Sequence, residues 1–584
     1  MPKRWRIHRH DPSRVAELER SAGVSTVVAQ LLIARGISQP DEAKLFLAPK
    51  LTGLRDPDLL PGNTRAAEIL WGAVQANSRI VVYGDYDADG MTATAILYRC
   101  LRLLNADVHY YVPNRIDEGY SLNTEAIRSL AAQKTDLIVT VDCGIASLAE
   151  ADLAAELGMT LIVTDHHQCA ERLPQAAAII HPGLPDSDYP FPGLCGAAVA
   201  FKLAWALAQQ ASGEKKVTDR MRNFLLQAVG LAALGTVADV VPLVDENRIL
   251  VHHGLNSLTH SPPLGLEALI KVTKLNEKRQ LEGEHLGFQL APRLNAAGRL
   301  GQAEIGVELL TTDDPTRAEK LAHYLDELNE ERKSLERSML LAADKQAKEK
   351  FDPENDPALV LSSHDWHPGV IGIVAGRLAE KYNLPTILIA GDPLGVKPGI
   401  GSARSARGLN LHQALAACDD LLESHGGHAA AAGLKITEAK IPEFRRQFFE
   451  VVRQEISSED RLAELSVDAE TALNCLTQQT VQQIESLAPF GHGNHRPVLS
   501  ASNVRLSEAP KRIGGGGRHL SMTFDQHGVK IRAVAFGGGD WCDELAAING
   551  ELSIAFRPVI NHFRGRANVE IHLDDWQIEQ NGEV

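Results

Sequence analysis

The chain has 584 residues, 44% hydrophobic and 23% charged, enough for about three or four domains and too apolar for large-scale disorder. Its seven cysteines are odd in number and contain no CxxC pair, which argues against a disulfide framework and against a structural zinc site, so a reducing compartment is expected. A net charge of −16 speaks against a uniformly basic surface but leaves room for local basic stretches such as KRIGGGGRH (511–519).

The N-terminus, MPKRWRIHRHDPSR, is basic with no apolar run behind it, so a cytoplasmic location is expected. Residues 1–55 read as a partly helical lead-in. From residue 79 to about 251, short apolar runs alternate with helical patterns, as a parallel α/β sheet requires: IVVY (80–83), VHYYV (108–112), LIVTV (137–141), LIVT (161–164) and AAAII (176–180). The stretch LLQAVGLAALGTVADVVPLV (225–244) has the composition of a membrane span, but Asp239 and Pro242 interrupt it, and a buried helix running into a buried strand is expected, with no membrane. Between 314 and 350 the positions Leu321, Leu325, Leu328, Arg332, Leu335 and Met339 keep a heptad rhythm on one helix; with an arginine in the seam, a connecting helix is expected rather than a coiled coil. FDPENDP (351–357) reads as a boundary, a second α/β-like unit follows to about 452, and the remainder is rich in short strands and glycine turns, as in a small barrel. The expected division is a lead-in (1–55), a parallel-sheet α/β domain (56–313), the helix (314–350), a smaller α/β domain (351–455) and an OB-like β-barrel domain (456–584).

Chemistry collects at the C-terminal ends of the apolar runs. The first is followed by GDYDADG, the second by PNR, the third by DCG and the fourth by DHH, and in an open α/β sheet such ends share one crevice. DYDADG opens like an EF-hand loop, but the twelfth position, which that loop needs as glutamate, is Ile96. Alone, the stretch could equally be a solvated turn with an aspartate capping a helix. Adding Asp142, Asp165, His166, His167 and Asp239 changes the balance, because so many carboxylates in one crevice repel unless cations sit among them. Oxygen-dominated ligation with one or two histidines suits two Mn²⁺ or Mg²⁺ ions better than Zn²⁺ and implies phosphoester or phosphoanhydride hydrolysis.

GDYDADG, PNR, VDCGI, TDHH and GTVADVVPL, in this order, resemble the DHH phosphoesterase superfamily. APRLNAAGR (291–299), WHPGVIGIVAGRL (366–378), GSARS (401–405) and HGGHAAAAG (425–433) resemble the associated second domain, of DHHA1 type, in the superfamily's branch of single-strand-specific 5′→3′ exodeoxyribonucleases; LAPFGHGNHRPVL (487–499) and the β-rich end resemble that branch's OB-like domain. The resemblance implies removal of 5′-mononucleotides from single-stranded DNA in recombination, recombinational repair and mismatch repair, with single-strand-binding protein and a helicase as partners; a monomer is the default. It implies metal roles for Asp87, Asp89, Asp142, His166 and Asp239, with Asp142 bridging. Asp85 is less settled, since pyrophosphatase-type members carry a histidine where Tyr83 stands here, and Asp85 either replaces that ligand or supports the others. His167 is implied at the phosphate, with Asp165 orienting a histidine. Expected strand contacts are Asn114, Arg115, Arg293, Asn295 and Arg299, with Ser402 and Arg404 clamping a 5′-phosphate and His425, Gly426, Gly427 and His428 offering backbone amides to an anion. In the β-rich end, Lys511, Arg512, Arg518, Arg532, Arg564 and Arg566 supply charge, and Phe524, Phe536 and Phe563 are candidate stacking platforms.

Two other functions are compatible with parts of this pattern. A phosphodiesterase of cyclic dinucleotides would need the metal site but no long groove; a catalytically silent DNA-binding scaffold would have no reason to keep mutually repelling carboxylates.

Overall fold

The computed structural model describes residues 3–578 except 116–117, 120, 186, 351, 353–355, 457–463, 549 and 564–565, with only the backbone of 562 and 563. Arg564, the side chain of Phe563 and part of the FDPENDP boundary therefore lie outside the described residues. The chain forms two compact units, residues 54–461 and residues 1–53 together with 462–584.

In the larger unit, five parallel strands lie in the order Val108–Tyr111, Ile80–Tyr83, Leu137–Thr140, Thr160–Thr164, Ala178–Ile180. Every residue of Ile80–Tyr83 and of Leu137–Thr140 is buried, as expected of strands covered on both faces. The second strand in sequence lies on one side of the first and the third on the other, so the switch point of the sheet falls between Ile80–Tyr83 and Leu137–Thr140. Loops carrying Asp85, Asp87 and Asp142 leave the sheet there.

The apolar stretch at 225–244 is the core helix Asp219–Ala238, largely buried. The strand expected after it is absent: the helix ends at Asp239, and Val240 is exposed with φ +60°. The long helix runs Pro315–Lys350 and buries Leu321, Leu325, Leu328, Arg332 and Met339, but buried Glu336, paired with Arg332, takes the place expected of Leu335. Beyond it a mixed sheet is ordered Ser424–Gly427, Ala431–Ile436, Gly399–Arg404, Thr386–Ala390, Leu359–Ser363.

In the smaller unit, Leu499–Leu506 pairs with Leu552–Phe563, which pairs with Arg566–Ile578, then Val529–Ala535, then His519–Gln526, which returns to Leu499–Leu506 through Arg505↔Asp525 and Leu506↔Phe524. The ring of pairings closes a five-stranded OB-like barrel. The first 53 residues are more than a lead-in. Their strand Arg4–Ile7 pairs in parallel with Glu464–Val467, and Leu18, Val28, Leu31 and Leu32 share one apolar core with Leu499, Phe524 and Phe556 of the barrel.

Candidate metal centre and adjoining cleft

Asp87 caps the helix Ala88–Leu103, its Oδ1 accepting from the amides of Asp89 and Gly90 at 2.9 and 3.0 Å. The cap explains why aspartates sit just before a helix and also turns Asp85, Asp87 and Asp89 into the crevice. Asp89 is held from the far side: its two oxygens accept from Gly196 N at 2.7 Å and Ala197 N at 2.9 Å, the first amides of the helix Gly196–Ser212. Asp142 leaves its strand with φ +63°, a conformation that aspartate tolerates better than most residues.

Ligand-type atoms of Asp85, Asp87 and Asp142 lie within 4.8 Å of one another, as do those of Asp89, His166 and Asp239, and those of Asp142, His166 and His167. His166 Nε2 is 3.1 Å from Asp142 Oδ1, 3.6 Å from Asp239 Oδ2 and 3.8 Å from Asp89 Oδ2. Burial raises Asp85 and Asp142 well above the usual carboxylate range, Asp89 to about 6 and Asp239 to about 8, and the neighbouring aspartates push in the same direction. Burial likewise lowers His166 to about 3. Asp85 Oδ1, Asp142 Oδ1 and His166 Nε2 are buried without a hydrogen-bond partner. Orphaned acceptors beside crowded carboxylates are what a divalent cation satisfies, and the donor set of oxygens with one imidazole nitrogen fits Mn²⁺ or Mg²⁺. Asp85, which the sequence left between two roles, is 2% exposed, with a carboxylate oxygen within 4.8 Å of those of Asp87 and Asp142.

Asp165 is arranged differently. Its Oδ1 accepts from the amides of His166 and His167 and from His167 Nδ1 at 2.8 Å, while Oδ2 accepts from Ile145 N. Although burial opposes it, these bonds and the His167 charge hold Asp165 down to about 2; against its own burial, His167 rises to about 9 through Asp165. Asp165 thus fixes the His167 ring, a carboxylate–histidine pairing familiar beside metal ligands.

A cleft of about 1000 Å³ adjoins the centre, lined by His167 and Asp165 on one side and by Arg299, Ser402, Arg404 and residues 425–428 on the other. Arg115 also borders it, its guanidinium 4.7 Å from the ring centroid of Tyr86. Ser402 and Arg404 are alternate residues of one strand and share a face, where Arg404 donates to Ser402 Oγ and Ala403 O. Arg299 donates to Gly369 O, and burial, with Arg115, Arg332 and Arg404 nearby, lowers it to about 10. Among the described residues neither Arg299 nor Arg404 is ion-paired. His425 approaches Asp419 at 3.2 Å, and His428 is exposed.

Other expected strand contacts are engaged elsewhere. Arg293 pairs with Asp326 of the long helix and donates to Gln289 O. Asn295 Oδ1 accepts from Ala88 N, adding to the cap of the aspartate-bearing helix, and Asn114 Nδ2 donates to Gly301 O at 3.4 Å. In the smaller unit Arg512 pairs with Asp543 and Arg532 with Glu570; Lys511 lies 3.8 Å from Glu508, and Arg518 donates to Gly515 O. Phe524 is fully buried in the barrel core, whereas Phe536 is 64% exposed between the edges of His519 and His572.

The sequence reading missed Tyr86, Gly196 and Gly372. A side chain at Gly372 would meet Arg404 Nη2 at 2.6 Å, and one at Gly196 would meet Asp142 Oδ1 at 2.5 Å. For Gly196 the only signal was a glycine opening an apolar helical run, whereas Tyr86 and Gly372 stand inside the motifs GDYDADG and WHPGVIGIVAGRL. Gly196→Ala is expected to displace the Asp142 carboxylate and lower turnover by roughly 10²-fold, the usual cost of a misplacement near 1 Å. Steady-state kinetics beside a melting curve check this; unchanged turnover would mean that Asp142 has slack.

A switch-point sheet edge bearing carboxylates and a fixed histidine pair, beside an arginine-lined cleft, defines a metallophosphoesterase. Residues 79–235 match the model of the DHH family N-terminal domain, 355–454 that of the DHHA1 domain and 467–575 that of the RecJ OB domain. The chain is 35% identical to the single-stranded-DNA-specific exonuclease RecJ of Escherichia coli (99% of this chain, 100% of that one) and 36% identical to the Bacillus subtilis enzyme of that name (98% and 71%). Its structure superposes on Thermus thermophilus RecJ, solved in complex with Mn²⁺, with a TM-score of 0.83 at 33% identity (99% of this chain, 80% of that one). The chain belongs to the RecJ family of single-stranded-DNA-specific exonucleases.

Proposed function

We propose that the protein degrades single-stranded DNA from the 5′ end, releasing 5′-mononucleotides, with two Mn²⁺ or Mg²⁺ ions held by Asp85, Asp87, Asp89, Asp142, His166 and Asp239. One observation carries the reading: the cleft that His167 borders on the metal side is bordered on the other by Arg299 and Arg404, without ion-pair partners among the described residues. Such arginines await an anion.

Asp85, Asp87 and Asp142 would hold one cation and Asp89, His166 and Asp239 the other, with Asp142 common to both. When bound, the pair polarises the phosphoryl oxygens and lowers the pKa of water so that hydroxide is available at neutral pH. Water adds to phosphorus and the bond to the 3′ oxygen breaks, giving a 5′-mononucleotide and a strand with a new 5′-phosphate. His167, its ring fixed by Asp165, contacts the phosphate under attack; Ser402, Arg404, Arg299 and Arg115 hold the 5′-terminal phosphate, with the glycine-rich strand end 425–428 beside them. Arg293, Asn295 and Asn114 brace the elements that carry these groups. The same reading places the protein in the cytoplasm as a monomer, working in recombination and repair with a helicase and single-strand-binding protein.

Arg404→Ala is expected to lower kcat/KM on 5′-phosphorylated strands by roughly ten- to a hundred-fold, as loss of a charge-assisted bond does, and to affect 5′-hydroxyl strands much less. Equal losses on both ends would remove Arg404 from the terminal phosphate.

A further inference from the structure

Two backbone irregularities lie near the end of the helix that delivers Asp239. The segment Leu286–Leu290 is a single π-turn between Gly283–His285 and Ala291–Arg299, and such turns frequently mark functional positions. Leu286 and Leu290 are fully buried and anchor the turn, while Phe288 between them is 80% exposed. A side chain at Gly287 would lie 3.3 Å from Val237 Cγ1, two residues before Asp239, so the turn packs against the last turn of the helix that delivers Asp239. The other irregularity is Val240, a β-branched residue at φ +60° with 64% of its surface exposed. Arg293 holds the arrangement from behind, donating to Gln289 O while paired to Asp326.

A large aromatic and a strained valine are thus held at the surface by their backbones with most of their area open to solvent. We propose that Phe288 and Val240 form an apolar platform for a nucleobase next to the phosphate under attack. The inference rests on the exonuclease reading, and the occupant follows from continuity with the centre: Val240 directly follows Asp239, the π-turn that carries Phe288 packs on the helix ending there, and a single strand has unpaired bases whose faces stack on aromatic rings whatever the sequence. Stacking there seats the phosphate over the centre and favours single strands, because a base paired in a duplex is not free to turn onto the ring.

The test compares wild type, Phe288→Ala and Phe288→Trp on a 5′-phosphorylated oligonucleotide and on the same strand with its first two nucleotides abasic. Wild type and Phe288→Trp should prefer the base-bearing strand in kcat/KM by roughly ten-fold. Phe288→Ala should lose that factor on the base-bearing strand, through KM, and match wild type on the abasic one. Equal rates for wild type and Phe288→Ala on the base-bearing strand, or equal losses on both strands, would overturn the platform. A change confined to the oligomeric state of Phe288→Ala would overturn it too, pointing to a second copy as the occupant. A wild type that hydrolyses neither strand would bring down the exonuclease reading itself, and the platform with it.

Discussion

Asp142→Asn is expected to abolish strand hydrolysis, a loss of at least about 10³-fold by analogy with removing a charged group that acts on the reacting phosphate, without destabilising the metal-free protein. Asp142 is the carboxylate common to two of the ligand clusters, it is 2% exposed, and its Oδ1 has no hydrogen-bond partner. Asparagine keeps the shape and tolerates the left-handed backbone at φ +63°, so only the charge is lost. Burial and the surrounding aspartates already disfavour that charge, so its removal is expected not to lower the Tm of the metal-free protein. Mn²⁺ at about a hundred times its dissociation constant should stabilise the wild type by about 2.7 kcal/mol. The variant should show a much smaller rise in Tm with Mn²⁺ while still binding single strands. Near-normal turnover would place the chemistry elsewhere.

Glu246→Ala is expected to be the most damaging change away from the centre. Glu246 is fully buried and accepts from Lys202 Nζ at 2.5 Å, from Arg55 N at 2.8 Å and from the Tyr189 hydroxyl. Removing it leaves the buried ammonium of Lys202, whose pKa burial already pulls down, with only the Arg55 carbonyl at 2.7 Å and no counter-charge, and breaking a buried pair from one side costs about 3–5 kcal/mol. The consequence reaches the site, because Lys202 lies on the helix Gly196–Ser212, whose first amides hold Asp89. The denaturant midpoint of Glu246→Ala should fall accordingly, and a Lys202→Met, Glu246→Leu double variant should recover most of the loss. A fall below about 1 kcal/mol for the single variant would show that Lys202 finds another partner.

Much of the larger unit could be read from the sequence because each buried parallel strand is a short apolar run and each run ends at a polar motif. IVVY and the four later runs locate all five strands of the parallel sheet, and GDYDADG, DCG and DHH bring their acidic and imidazole groups to one crevice. Less legible was what depends on approach rather than residue type. That Gly196 must be small is decided by Asp142, more than fifty residues away in the chain, and the N-terminal helices gave no signal because their apolar faces match a barrel that begins some 450 residues later. Arginine spacing also could not tell a paired arginine from one facing the cleft: Arg293 and Arg299 share a motif, yet one pairs with Asp326 and the other borders the cleft. Tertiary partners, not local pattern, set that difference.

The central claim is that the carboxylate–imidazole centre hydrolyses a single strand from its 5′ end with divalent cations. Product analysis on single-stranded DNA labelled at either end, with Mn²⁺, with Mg²⁺ and with a chelator, tests it most directly. Mononucleotides released first from the 5′ label, only with metal and poorly from a blunt duplex, are the predicted result. Release from the 3′ label first, internal cuts, or hydrolysis that persists in the chelator would contradict it.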